Sequence, residues 1–366
     1  MRAVGPVADR WPDVRRIAVL RGDGLGDVLL AGPAIDALAA AYPDAEIVLM
    51  CAPGNDQLYR GRPSAVTEVV PLPYAHGVHD VGAGNGEGND PRAFRDAVCR
   101  RPIDLGVQLH GGGRWSNPFL LALAPRWTVG TRTPDAAELT RWLPYRPYQH
   151  AVLRWLEVAG LAGAPPVTLD PRVEVTDADR AAARRVLPPS DRPTLVIHPG
   201  ARDPRRRWPP EHFAAVAAAC LRDGARAVIV GTAAERTVMR DVAAKVDGMV
   251  VGGARHRVTV LDGLDLAALV GVLDAGDVLL GNDSGVRHLA QAVGTPTVGI
   301  YWIGNAFNAA PLGRLRHRVL MSFTTQCPLC GRDCTRPETP RCEHDVPIVA
   351  DIAPDEVLDE VRELLA

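Results

Sequence analysis

Two doubly wound α/β domains are predicted for this chain, on three observations. It has 366 residues, more than one ordinary hydrophobic core accommodates. Short apolar runs alternate with segments of helical periodicity through residues 16–163 and again through 193–302, the pattern of parallel strands crossed by helices. Between these halves, residues 164–193 hold six prolines around one short helical pattern, a composition suited to an interdomain connection. The expected domains are therefore 1–165 and 166–352.

In the first half, "RIAVL" (16–20) is a short apolar strand, and "DVLLAGPAIDALAAAYP" (27–43) has apolar residues at helical spacing. "EIVLMCAP" (46–53) and "TEVVPLP" (67–73) read as strands, and the glycine-rich 74–90 as a loop. "IDLGVQLHG" (103–111) is a strand ending in glycines, and "HAVLRWLEVAGLAG" (150–163) a helix with a glycine stop. After the connection and its helical piece "TDADRAAARRVL", the alternation restarts. Strand 193–200 leads to helix 209–224, strand 225–231 and helix 232–246, and then to helix 264–276, strand 277–283, helix 285–294 and strand 295–302. A last helical pattern spans 353–366. In open parallel sheets ligands lie beyond the carboxyl ends of the strands, so the strand-to-helix loops are where chemistry is expected.

Composition narrows the class. With 47% hydrophobic and 23% charged residues the chain reads as globular, and no run of 18 apolar residues is present to span a bilayer. The first twenty residues carry prolines and acids where a signal peptide needs an apolar stretch, so the expected compartment is the cytoplasm. A net charge of −2 argues against a nucleic-acid partner. Lys245 is the sole lysine, and with the heavy Ala, Gly and Pro content this reflects a GC-rich coding bias, not function. Cys51, Cys99 and Cys220 stand in apolar surroundings and read as small core residues.

Three constellations carry chemistry. The first, "RGDGLGDVLL" (21–30), has glycines at 22, 24 and 26. That is G-x-G-x-G, one residue tighter than a dinucleotide fingerprint, and no acid ends the second strand. Gly24 and Gly26 instead supply backbone freedom beside Asp27, which either caps the helix or serves as a base facing the ligand. The second, "HPGARDPRRRWPPEHF" (198–213), places four arginines within residues 202–207 beyond a strand end. Arg202, Arg206 and Arg207 are suited to holding a diphosphate by charge-assisted hydrogen bonds, a solvated basic loop being the plain alternative. The third, "LLGNDSGVRHLAQAVGTPTVGIYW" (279–302), runs a strand through Asp283, Ser284 and Gly285 directly into a helix carrying His288. Free amides at such a start attract an anion, and Asp283 is positioned to bind a hydroxyl.

Together these stretches resemble glycosyltransferase family 9, the heptosyltransferase family of GT-B fold transferases. The resemblance rests on "LRGDGLGDVLLAGPAIDALAAAYPDAEIVLMCAP", "HPGARDPRRRWPPEHFAAVAAACLRDGARAVIVG" and "GNDSGVRHLAQAVGTPTVGIYW". It implies two Rossmann-like domains facing across a cleft, the first for the acceptor and the second for the nucleotide sugar, with the helix 353–366 packing back onto the first. It implies that Asp27 is the base, that Arg206 contacts the nucleotide phosphates from a position commonly lysine, and that Asp283, Ser284, Gly285 and His288 form the nucleotide-binding turn. Arg287 stands where the family usually has a small or apolar residue.

On this reading Asp27 takes the proton from an acceptor hydroxyl as it attacks the anomeric carbon, inverting its configuration. Arg206, with Arg202 or Arg207, and the amides at Ser284 and Gly285 stabilise the departing nucleoside diphosphate without a metal. Closure of the domains is expected to exclude water. The expected donor is ADP-heptose. The expected acceptor is a lipopolysaccharide-type glycolipid or a small molecule, with at most peripheral membrane contact. The alternatives are a nucleotide-sugar epimerase or hydrolase of the same architecture, and a non-catalytic sugar-nucleotide-binding protein.

The remaining cysteines fall in "CPLCGRDCTRPETPRCEHD", with spacing C-x2-C-x3-C-x7-C followed by His344. In a cytoplasmic chain Cys327, Cys330, Cys334 and Cys342 suggest a structural zinc site near the cleft. Disulfides, free thiols or an iron–sulfur cluster are the alternatives. No cofactor is expected for the chemistry itself.

Overall fold

The segment Arg16–Arg21 is buried at every position, as a strand covered on both faces of a parallel sheet must be. It forms β1, the centre of the first unit of a computed structural model that describes residues 4–80, 90–250, 257–336 and 339–366. The chain divides into two compact units, Met1–Glu174 and Val175–Ala366.

In the first unit β1 is followed by α1 (Leu25–Ala41), β2 (Glu46–Cys51), β3 (Glu68–Pro71), α2 (Pro91–Cys99) and β4 (Leu105–Gln108). Then come α3 (Ser116–Leu121), β5 (Trp127–Arg132), β6 (Arg141–Pro144) and α4 (Ala151–Leu161). All strand pairs are parallel, in the order β3-β2-β1-β4-β5-β6. The order reverses between β1 and β4, where the crossovers leave in opposite directions and open a crevice at the strand ends. Ala18, Leu20, Val48, Met50, Phe94 and Leu120 belong to the core on one side of this sheet. Of the glycine-rich stretch expected as a loop, residues 81–89 lie outside the described residues.

The second unit repeats the plan. After α5 (Asp177–Val186) come β7 (Thr194–His198), α6 (Pro210–Arg222), β8 (Arg226–Gly231), α7 (Arg236–Met249) and β9 (Val258–Asp262). These are followed by α8 (Leu266–Asp274), β10 (Val278–Asn282), α9 (Gly285–Val293), β11 (Thr297–Trp302), α10 (Ile303–Ala309), β12 (His317–Ser322) and α11 (Pro354–Leu365). The sheet is again all parallel, β12-β11-β10-β7-β8-β9. Counted from its own first strand, this is the same order as in the first unit, with the reversal between β7 and β10. The helical piece of the proline-rich connection, α5, starts with a Thr176–Asp179 capping box. Its Ala182 and Ala183 are buried, and it packs on α8 within the second unit.

One expectation is corrected here. The family resemblance implied that the last helix packs back onto the first domain, yet the apolar face of α11 lies in the core of the second unit. Val357 and Val361 are fully buried there with Trp208, Phe213 and Ile300, and α11 packs along α6. The physical reason is proximity: the Ile348–Ile352 stretch just before α11 is already anchored in that core. Val357→Ala and Val361→Ala should each destabilise the second unit by about 2 kcal/mol. Denaturant unfolding followed by hydrogen exchange across the strands of each sheet checks this, because protection should fall in the second sheet and not in the first.

Candidate functional site

Each sheet gathers its unusual residues at the point where strand order reverses. In the first unit β1 ends at Arg21, and Gly24 takes the N-cap position of α1 in extended backbone. Asp27 is thus the third residue of the helix, not its cap, and its carboxylate is turned to Arg21. Arg21 Nη2 donates to Asp27 Oδ1 at 2.6 Å and Arg21 Nε to the Asp27 carbonyl at 3.2 Å. The guanidinium also donates to Asp23 Oδ2 at 2.7 Å and lies 5.3 Å from the centre of the Trp155 ring. Arg21 is buried, whereas the Asp27 side chain is 41% exposed. Asp27 Oδ2 has no hydrogen bond among the described residues.

From β4, across the reversal, comes His110. Its Nδ1 faces the Gly22 amide at 3.2 Å and the Arg21 guanidinium at 3.4 Å, while Nε2 meets the Gly77 carbonyl at 3.2 Å. Two donors at Nδ1 leave the proton on Nε2. Burial lowers the imidazole's pKa, outweighing the pull of Asp23. Gly22 is required here because a Cβ would lie 2.0 Å from the Val78 carbonyl oxygen.

In the second unit the reversal is stitched by a fully buried amide at the end of β10. Asn282 accepts from the Trp208 amide at 3.0 Å and donates to the Pro199 carbonyl at 2.8 Å. It therefore ties both ends of the arginine-rich loop after β7. The next residue, Asp283, is also buried. Its Oδ2 accepts from Arg206 Nη1 at 2.9 Å and Asn305 Nδ2 at 2.8 Å, and its Oδ1 faces His288 Nε2 at 3.2 Å. An Arg287 guanidinium nitrogen lies against His288 Nδ1. A guanidinium only donates, so His288 accepts on Nδ1 and gives its Nε2 proton to Asp283. Burial pushes the Asp283 carboxyl up, but His288, Arg206 and Arg287 outweigh it and hold the group at about 2.

Ser284 caps α9, accepting from the Arg287 amide at 3.4 Å, and its Oγ lies 3.0 Å from His198 Nδ1. The amides of Gly285 and Val286 have no helical partner by construction, and a short anion there is favoured. His198 Nε2 stands 3.5 Å from Glu235 Oε2. Burial raises the Glu235 carboxyl, but His198 and the Thr232 backbone amide bring it to about 2. A Cβ at Gly200 would lie 1.7 Å from Glu235 Oε1, so a side chain there must displace the Glu235 carboxylate from His198 and Thr232.

The family model for glycosyltransferase family 9 (heptosyltransferase) matches residues 113–336, which include the whole of this second constellation. The chain belongs to glycosyltransferase family 9. It is 24% identical over 364 residues to lipopolysaccharide heptosyltransferase 2 of Escherichia coli strain K12, covering 96% of this chain and 98% of that one. Among solved structures it resembles a glycosyl transferase family 9 protein from Veillonella parvula, with a TM-score of 0.77 and 20% identity over 98% and 99% of the two chains. It also resembles E. coli ADP-heptose lps heptosyltransferase II, with a TM-score of 0.72 and 21% identity over 96% and 98%. The two doubly wound units are thus the GT-B fold of that family.

Of the residues expected from sequence, this family 9 chain brings Arg206, Asp283, Ser284, Gly285 and His288 together. It does not bring Arg202 or Arg207 to Asp283. Arg207 Nε donates to the Ala201 carbonyl at 2.9 Å, and Arg202 is exposed with no hydrogen bond among the described residues. Sequence reasoning missed Arg21, His110, His198, Glu235 and Asn305. For the first three the signal was available: each lies at or just past the carboxyl end of a central strand. Glu235 and Asn305 join only through tertiary packing.

The cysteine segment needs a second correction. Ligand atoms of Cys327, Cys330, Cys342 and His344 all lie within 4.8 Å of one another. Cys334, expected among the ligands, is not one of them. Its amide donates to the Thr325 carbonyl in a small bridge that pairs Gln326 with Asp333, and its thiol turns to the Arg332 carbonyl. His344 takes its place, with Nδ1 3.6 Å from Cys327 Sγ. The backbone amides of Cys330 and Leu329 aim at Cys327 Sγ and lower its thiol to about 6, the thiolate character a metal ligand needs. A tetrahedral ion with sulfur at about 2.3 Å sets ligand atoms about 3.8 Å apart, so this Cys3His set fits one after a small contraction.

Two tests follow from this geometry. Gly22→Ala and Gly200→Ala should each cost about 1–3 kcal/mol through overpacking, read as a lower midpoint in denaturant. Asp283 and Glu235 ionise at about 2 in the fold against ordinary values of 3.8 and 4.5. A depressed folded value means their stabilisation is complete above about pH 4.5 and is lost as pH falls toward 2. Melting temperature measured across that window should drop, and Glu235→Gln should flatten part of the drop.

Proposed function

We propose that the protein is an inverting, metal-independent glycosyltransferase that moves heptose from ADP-heptose to a hydroxyl of a glycolipid or small-molecule acceptor in the cytoplasm. The observation that carries this reading is the cluster at the β7/β10 reversal. There Arg206 is held by buried Asp283 beside the open amides of α9, a cationic seat for a diphosphate. The names of the similar lipopolysaccharide heptosyltransferases support heptose and the ADP carrier. Among the described residues no helix is long and apolar enough to cross a membrane, in keeping with an acceptor met at most at a membrane surface.

Asp27 serves as the base. Arg21 holds Oδ1, so Oδ2 receives the proton of the acceptor hydroxyl as that oxygen attacks the anomeric carbon from the side opposite the leaving diphosphate. The carbon–oxygen bond to the phosphate breaks as the new one forms, and the configuration inverts. Charge developing on the leaving oxygen is met by Arg206 and the Ser284–Gly285 turn, with Arg202 or Arg207 available to join once a ligand is present. The Cys327, Cys330, Cys342 and His344 set holds a structural zinc that takes no part in the transfer.

Calorimetry with ADP, UDP, GDP and NAD, with and without magnesium, is the test. ADP should bind preferentially and independently of magnesium, and Arg206→Ala should weaken it about 10–100-fold. Selective binding of NAD would overturn the assignment. Asp27→Asn should leave ADP affinity unchanged while lowering turnover about 10²–10⁴-fold. Equal turnover by that variant would remove Asp27 from the mechanism.

A further inference from the structure

Residues 323–353, between β12 and α11, contain no helix and no extended strand pairing among the described residues. So long an irregular stretch is unusual inside a compact unit and needs an external constraint. It is also the support on which the arginine-rich loop rests. Arg341 is ion-paired with Asp345, and the same Nη2 also reaches Asp203 Oδ1 at 3.5 Å; Asp203 in turn grips Arg205 with contacts of 2.6 and 3.1 Å. The Ile348 amide donates to the Arg205 carbonyl at 2.8 Å. Just past the loop, Trp208 Nε1 donates to the Ile352 carbonyl at 3.0 Å. Arg341 adjoins Cys342 in the chain and donates to its carbonyl at 3.2 Å. The path from the Cys3His cluster to the residues flanking Arg206 is therefore one residue and two ion pairs long.

We propose that a metal ion bound by Cys327, Cys330, Cys342 and His344 orders the loop 202–207 through Arg341 and Asp203, so that affinity for the nucleoside diphosphate depends on metal occupancy. The proposal rests on Arg206 being the phosphate ligand. The ion ties Cys327, Cys330, Cys342 and His344 to one another, and binding energy of this kind is folding energy for what it joins. With those four ligands held, Arg341 and Arg205 share the Asp203 carboxylate, which fixes the backbone on which Arg206 pairs with Asp283. Without the ion, 327–344 loses its constraint and the loop loses the surface beneath it. A nucleotide must then order both, and apparent affinity falls by the fraction of molecules in the competent arrangement.

The experiment compares the full-length protein loaded with Zn²⁺, stripped by chelation under reducing conditions, and reloaded. Elemental analysis gives metal content, calorimetry gives ADP affinity, and amide exchange with limited trypsin cleavage reports order at 202–207. The loaded protein should hold one ion. Stripping should weaken ADP binding at least tenfold and expose the loop arginines to trypsin, and reloading should reverse both. Cys334→Ser should keep the ion and Cys330→Ser should lose it. Arg341→Ala should keep the ion and the fold yet bind ADP as weakly as the stripped protein. Unchanged ADP affinity and unchanged loop protection after stripping would overturn the proposal, as would an Arg341→Ala protein that binds ADP normally. If the loaded protein fails to bind ADP at all, the reading of Arg206 fails, and metal-dependent protection of the loop still decides whether the ion orders it.

Discussion

A carboxylate buried at the end of β10 dictates much of what surrounds it. Asp283 is almost wholly withdrawn from water, and an unpaired charge in that position would be prohibitively costly. It therefore draws Arg206 from the loop after β7, His288 from the first turns of α9 and Asn305 from α10. The adjoining helix and two elements more remote in sequence converge because one charge demands compensation. The amide of Asn282 does the same for the backbone, holding both ends of the arginine-rich loop against the strand end. Arg206 is thus held in place by contacts within the chain itself.

The two sheets share a strand order and place their functional groups at the same reversal, but with opposite polarity. In the first unit the cation is the buried member of the pair, Arg21 at 6% side-chain exposure, and the acid Asp27 is presented at 41%. In the second the acid is buried, Asp283 at 6%, and the cation Arg206 is the more open partner at 22%. One arrangement offers a carboxylate to whatever occupies the strand ends, and the other offers a guanidinium. A doubly wound frame repeated twice can in this way present a carboxylate at one reversal and a guanidinium at the other without any change in its own topology.

The cysteine segment shows why spacing alone underdetermines a ligand set. Cys334 is closer in sequence to Cys330 than Cys342 is, yet the bridge between Gln326 and Asp333 carries its thiol away. His344 is instead placed beside Cys327. Through Arg341 and Asp203 the same segment reaches the arginine-rich loop, so it is more than a surface appendage.

The alternation of β-type and helical periodicities was enough to establish two parallel α/β units, because burial on both faces of a central strand leaves an apolar run that composition cannot disguise. The loops after β1, β7 and β10 were legible for the same reason: an acid, four arginines and an Asp-Ser-Gly turn interrupt that pattern where strands end. The strands β5, β6, β9 and β12 were not: β6, β9 and β12 are only partly buried and carry weak periodicity, and β5, though buried, is a short run interrupted by Thr128, Gly130 and Thr131. Nor did sequence reveal that Arg21 holds Asp27, that Glu235 supports His198, or that α11 joins the second core. Each of these depends on a partner brought near by chain crossover, and a contact of that kind leaves no mark on local sequence. The sequence by itself determined which residue types stand at the strand ends, and only the tertiary structure decided which of them share a charge.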